Sequence, residues 1–189
     1  MSSTTQPKRT GPDFYATPDW AIEAILPYIP GGSWRILEPA AGNGAILRHL
    51  VTHFRSTIEA CEIREEETDD LRAILGDRGT LVIDNFLTTK RLHPDGYDLI
   101  ITNPPFSLAQ EFVEASIKRL APCGWAFFLL RLAFWESTKR SSLMRAYSPD
   151  TFVLSKRPSF VNGTTYSCAY AWFAFTDRPR AHGSIRLLS

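Results

Sequence analysis

Four consecutive residues, Asn103-Pro104-Pro105-Phe106, close the apolar run YDLIIT and combine a carboxamide, two residues without backbone donors and an aromatic ring. The two prolines stiffen the loop and remove two N–H groups, so its carbonyls can face a ligand as pure acceptors. An aminated nucleobase offers two N–H donors. The Asn103 side-chain oxygen and a loop carbonyl can accept both, leaving the amino nitrogen more pyramidal, with its lone pair aimed at an electrophile. Phe106 would then stack on the base. The plainer alternative is a proline-rich loop with a packing phenylalanine.

A second cluster lies upstream. Glu38-Pro39-Ala40-Ala41-Gly42-Asn43-Gly44 follows the apolar run WRILE, where small residues let a ligand approach the backbone and the next helix presents free N–H groups. A nucleotide-type cofactor is one reading and an ordinary tight turn the other. Glu62 stands about 20 residues further on, at the tip of the next strand, where an acid can hold both ribose hydroxyls. Its alternative is one more solvated acid beside Glu65 to Glu67. Asp84-Asn85-Phe86 ends a third strand.

These groups need elements to carry them. Short apolar runs at 34–38, 57–63, 80–83, 97–102, 125–130, 151–155 and 169–175 read as strands, several buried on both faces. Helical spacing starts at Thr17-Pro18-Asp19 with Trp20, Ile22, Ile25 and Leu26. It recurs with Ile46, Leu47, Leu50 and Val51, along 64–75, along 108–120 and near 137–147. The connection 156–167 has no room for a crossover helix, so the last two strands should be antiparallel neighbours. Alternation of this kind implies an open α/β sheet with ligands at the carboxyl ends of its strands. Both suspicious loops fall there.

At 189 residues the chain fits one domain, 13–189, behind a polar, turn-rich tail at 1–12. No apolar run approaches the roughly 20 residues of a bilayer span, and the start lacks the apolar stretch of a secretory signal, so a cytoplasmic protein with no membrane partner is expected. Cys61, Cys123 and Cys168 are widely spaced and form no metal-ligand pairs, so no metal site is expected. Residues 1–130 hold 12 Lys/Arg against 17 Asp/Glu, whereas 131–189 hold 9 against 3. The basic carboxyl end is therefore the better candidate for touching phosphates, although a pI near 7.8 is below the footprint of dedicated nucleic-acid binders.

EPAAGNG, Glu62, Asp84 and NPPF, in that order, resemble the class I S-adenosylmethionine-dependent methyltransferase superfamily, specifically its amino-methylating branch. The glycine loop before NPPF, with Thr17-Pro18 upstream, is similar to the γ-like arrangement of DNA N6-adenine methyltransferases. LLRLAFWES, Lys156-Arg157-Pro158-Ser159-Phe160 and YAWFAF resemble the small members often carried by phages. The resemblance implies an α/β Rossmann-like fold, a seven-stranded mostly parallel sheet with one antiparallel strand and helices on both faces. It also implies a bacterial host cell.

Carried over residue by residue, the resemblance puts Glu38, Ala40, Gly42, Asn43 and Gly44 around the methionine part of S-adenosylmethionine and Glu62 on its ribose. Tyr15, Thr17 and Pro18 would close over the methionine end. Asp84 and Asn85 would meet the cofactor's adenine, with Ile63 and Phe86 on its faces, and Asn103 to Phe106 would hold the target. Phe160 is implied as a contact to a flipped base, and Arg131 or Arg157 as phosphate contacts; core packing for Phe160 and solvation for the arginines are the alternatives. Asparagine first and phenylalanine fourth favour N6-adenine over N4-cytosine. Pro122-Cys123 superficially offers the nucleophile of C5-cytosine chemistry, but it precedes a strand, out of position. Trp172 is assigned to the core.

The partner this implies is DNA, without a separate target-recognition domain, with a homodimer left open. Methylation of RNA adenine, of a protein glutamine, or a non-catalytic cofactor-binding role are the competing readings.

Overall fold

The computed structural model describes residues 16–32, 34–161, 164–165 and 168–188, with backbone alone for 159–161 and 164–165. Helix α1 (Asp19–Glu23) runs into a 3-10 turn, followed by β1 (Arg35–Glu38), α2 (Ala45–His53), β2 (Thr57–Glu62), α3 (Thr68–Leu75), β3 (Gly79–Ile83), β4 (Tyr97–Thr102), α4 (Ala109–Ile117) and β5 (Leu120–Arg131). Then come α5 (Ser141–Tyr147), β6 (Asp150–Leu154), a hairpin of β7 (Ser159–Val161) and β8 (Thr164–Thr165), β9 (Tyr170–Thr176) and β10 (Ile185–Leu188). Among the described residues no helix is long and apolar enough to cross a membrane.

Eight strands form one sheet in the order β3-β2-β1-β4-β5-β9-β6-β10. Seven were expected. The eighth, β10, pairs parallel with β6 from Ile185↔Thr151 to Leu188↔Leu154. Its four residues are exposed except Leu188, so neither a periodic pattern nor an apolar run announces it. Strand β9 lies between β5 and β6 and is antiparallel to both, as the short connection demanded; every other pairing in the sheet is parallel. The expected helices near 108–120 and 137–147 are shorter: α4 stops at Ile117 because β5 begins at Leu120, and α5 starts only at Ser141, after a turn at 138–140.

Successive strand residues feed two cores, one on each face. Ile36, Ile58, Leu99, Phe127 and Trp172 pack under α1, α2 and α3, while Leu37, Cys61, Ile100, Phe128 and Phe173 pack under α4 and α5. Strand alternation accounts for this division, since neighbouring Cβ atoms point to opposite faces. Trp172 is wholly buried, and its indole N–H donates to the Ala21 carbonyl at 2.8 Å, tying α1 to the sheet. Cys123 sits exposed near the amino end of β5, at the opposite edge from the loops that end β1 to β4. The chain moves outward from β1 through β2 to β3, then crosses back to β4 on the other side of β1. That reversal opens a crevice at the carboxyl ends of these strands.

Candidate active site

The loop after β1 folds back over the end of β2. The Ala41 N–H donates to the Cys61 carbonyl at 3.0 Å and the Gly42 N–H to Glu62 Oε2 at 2.7 Å. Gly44 has φ +76°, a backbone state that glycine enters at little cost, and it starts α2. A Cβ there would come within 2.5 Å of Ile74 Cδ1. Gly44 therefore builds the turn and does not line the crevice.

Glu62 is buried and held from two sides. Its Oε1 accepts from the backbone N–H and from Nε of Arg64, both at 3.0 Å, and Arg64 also pairs with Glu67 at 3.0 Å. Arg64 escaped the sequence reading; its only signal was its place two residues after the acid. At the tip of β3, the Thr89 hydroxyl and the Asn85 amide hold the Asp84 carboxyl below its usual range, with Arg91 adding to the effect against some desolvation. A carboxylate in that state only accepts hydrogen bonds. The Phe86 ring lies 5.0 Å from that of Phe112, with the Arg119 guanidinium 4.8 Å from its centroid, and Arg119 Nη2 donates to the Phe86 carbonyl at 3.3 Å.

Glu38 is buried at the end of β1, and its Oε2 has no hydrogen-bond partner among the described residues. Burial, and then the neighbouring Glu62, push its carboxyl well above the ordinary carboxyl value of 4.5, while Arg48 pulls the other way. The folded state therefore keeps a proton that the unfolded chain releases near pH 4.5. Stability from this group is full below that pH and is lost as pH rises through the higher folded value. Glu38→Gln should remove this dependence. Thermal melts from pH 4.5 to 8 should show the variant gaining on the wild type as pH rises, and parallel curves would overturn the assignment.

At the tip of β4 the Asn103 amide Nδ2 donates to Thr17 Oγ1 at 3.1 Å, although 86 residues separate them. Pro105 accepts from the Leu108 N–H at 2.9 Å, which curls the loop into a 3-10 turn ahead of α4. Phe106 is half-buried, its ring 5.6 Å from that of Tyr170 and 5.1 Å from the Arg131 guanidinium.

Together these loops enclose a cleft of about 240 Å³. Of the residues singled out in the sequence, Thr17, Glu38, Ala40, Gly42, Asn43, Glu62, Ile63, Asp84, Asn85, Phe86, Asn103 and Pro105 line it. Pro18 instead precedes α1, where its carbonyl accepts from Ala21 at 3.0 Å, and Pro104 is buried and does not line the cleft. Phe106 and Arg131 border a separate recess, and Arg157 is exposed beyond β6. Tyr15 and the side chain of Phe160 lie outside the described residues. Arg64, Ser107, Leu108 and Phe112 line the cleft without having been picked out. Two apolar side chains facing it, Ile63 and Leu108, are 61% and 40% exposed, a cost that a flat apolar ligand between such groups would relieve.

Comparison with solved structures returns the same architecture. A predicted O-methyltransferase from Agrobacterium tumefaciens is similar at 14% identity with a TM-score of 0.69, covering 90% of this chain and 85% of that one. The 23S rRNA methyltransferase ErmE is similar at 18% identity with a TM-score of 0.66, over 90% and 71%. A methyltransferase from Pyrococcus furiosus reaches 18% and 0.64, over 90% and 88%. No family model and no curated relative matches the sequence. The fold is thus the Rossmann-like fold of class I methyltransferases, with a mixed sheet.

Proposed function

We propose that this chain transfers a methyl group from S-adenosylmethionine to the N6 amino group of adenine in DNA. The observation that carries the reading is the junction of two loops: Asn103 and Pro105 at the tip of β4 border the cleft formed by the glycine loop, Glu62 and Asp84. The cleft's chemistry fits the cofactor. An acceptor-only Asp84 suits an aromatic amine, the exposed Ile63 and Leu108 suit the faces of its ring, and Glu62 suits a ribose. A buried Glu38 with an unpartnered oxygen suits the polar methionine end. When bound, S-adenosylmethionine supplies a sulfonium methyl that an amine nitrogen takes by one in-line displacement, leaving S-adenosylhomocysteine.

The protein's own part is positioning. Thr17 orients the Asn103 carboxamide, so that its oxygen and a carbonyl of the proline loop accept the two N–H bonds of the target amine and fix the direction of its lone pair. Phe106 offers a ring for the base to stack on. The rigid loop fixes these groups before substrate arrives, so little reorganisation is left for the reacting state. Thr17→Val should therefore lower kcat by about tenfold while the KM for cofactor changes little, because one orienting hydrogen bond is lost. A change confined to cofactor KM would remove Thr17 from this role.

RNA adenine is the second reading, favoured by the similarity to ErmE, an rRNA methyltransferase. The deciding experiment incubates the protein with isotope-labelled S-adenosylmethionine and DNA, RNA or protein, digests each, and identifies the labelled product by mass spectrometry. Label in N6-methyladenosine from RNA alone would replace DNA by RNA. Label in protein glutamine alone would overturn the nucleic-acid reading.

A further inference from the structure

Beyond Phe106 lies a second recess, of about 300 Å³, separate from the first cleft, with Phe106 and Ser107 in its wall. Arg131, Lys139 and Arg140 border it, against a single acid, Glu111, exposed in the first turn of α4. Arg140 is locked in place. Its Nε donates to the Phe134 carbonyl at 2.9 Å and its Nη2 to the Ala133 and Glu136 carbonyls at 3.2 and 3.3 Å, with the guanidinium 4.6 Å from the Phe134 ring centroid. None of these partners is a carboxylate, so its charge is oriented but not neutralised. Lys139 is exposed and has no ion pair among the described residues. Arg131 is fixed above the Phe106 ring itself.

We infer that this recess seats a phosphodiester of the polynucleotide strand that carries the target amine, with Lys139 as its exposed cation. The inference rests on the nucleic-acid reading above. Phe106 borders the recess and belongs to the loop that would hold the target, so an anion there lies beside the base. A phosphodiester is the anion that must accompany a nucleotide whose base occupies that loop. Three cations around one acid leave the recess positive, and two of them are held by the fold before any strand arrives. A glutamine side chain would have no use for such a ring of charge. Glu111 opposes the phosphate, which makes its removal a test of opposite sign.

Fluorescence anisotropy with a short labelled single-stranded oligodeoxynucleotide, measured across a salt series, reads binding without requiring catalysis. Lys139→Ala should weaken binding about fivefold near 0.1 M salt and lower the slope of log affinity against log salt by about 0.7, the loss of one phosphate contact. Glu111→Gln should tighten binding. Circular dichroism checks that both variants, altered at exposed positions, remain folded. Absence of wild-type binding, or affinities and slopes unchanged in both variants, would overturn the inference. Methyl transfer to adenine by the wild type with unaltered binding in both variants would leave the function and remove this site. Binding that responds to both changes, without any transfer to adenine, would keep the site and remove the proposed reaction.

Discussion

Asn103→Ala is expected to lower kcat by about 100- to 1000-fold, the range seen when one preorganised hydrogen-bonding group is taken from a reacting centre. The dissociation constant for S-adenosylmethionine should stay within about threefold, because the glycine loop, Glu62 and Asp84 remain in place. The reason is geometric. The Asn103 side chain is held by Thr17 and sits at the end of a strand buried on both sides, so in the proposed reaction its oxygen would be placed before the amine arrives. Single-turnover rates at saturating cofactor and DNA, paired with calorimetric titration of the cofactor, separate the two effects. Turnover equal to the wild type would end the assignment, and loss of cofactor binding alone would make Asn103 a cleft residue with no part in holding the target.

The largest effect on stability should come from Trp172→Ala. This side chain is wholly buried in the core beneath α1 to α3, and its indole N–H closes a hydrogen bond to Ala21 across 151 residues of sequence. Removal leaves a large cavity and an unpaired carbonyl, a cost of about 3–5 kcal/mol. That is a large share of the stability of a chain this size. Urea unfolding measures it, with Trp172→Phe expected to recover much of the loss because it refills most of the volume. A loss below about 1 kcal/mol for the alanine variant would show that α1 is not anchored through this residue. The site should suffer as well, since Thr17 enters α1 directly and its hold on Asn103 depends on where α1 docks.

Much of the architecture was legible in the chain. The apolar runs that became β4, β5 and β9 are nearly continuous because both faces of each strand are covered, and that burial writes itself into consecutive residues. The antiparallel placement of β9 against β6 followed from a connection too short for a helix. Strand β10 was not legible, because it has three exposed residues out of four and is held by backbone pairing that any side chain permits. Arg119, which clasps Phe86 from α4's far end, carried no mark either; a lone arginine after a helix reads as a solvated cation until the fold brings a ring beneath it.

What the chain determined by itself was chemistry by type and address: two donor-poor prolines behind an asparagine, an acid at the tips of the first three strands, and small residues where a backbone must come close. These are local properties, so they survive without knowledge of the fold. Only the tertiary structure decided that Thr17 hydrogen-bonds Asn103, that Arg64 and Gly42 together hold Glu62, and that burial beside Glu62 pushes the Glu38 carboxyl up. Each of those depends on which distant segments the strand order brings into contact and on how much water their approach expels, and neither quantity leaves a trace in neighbouring residues.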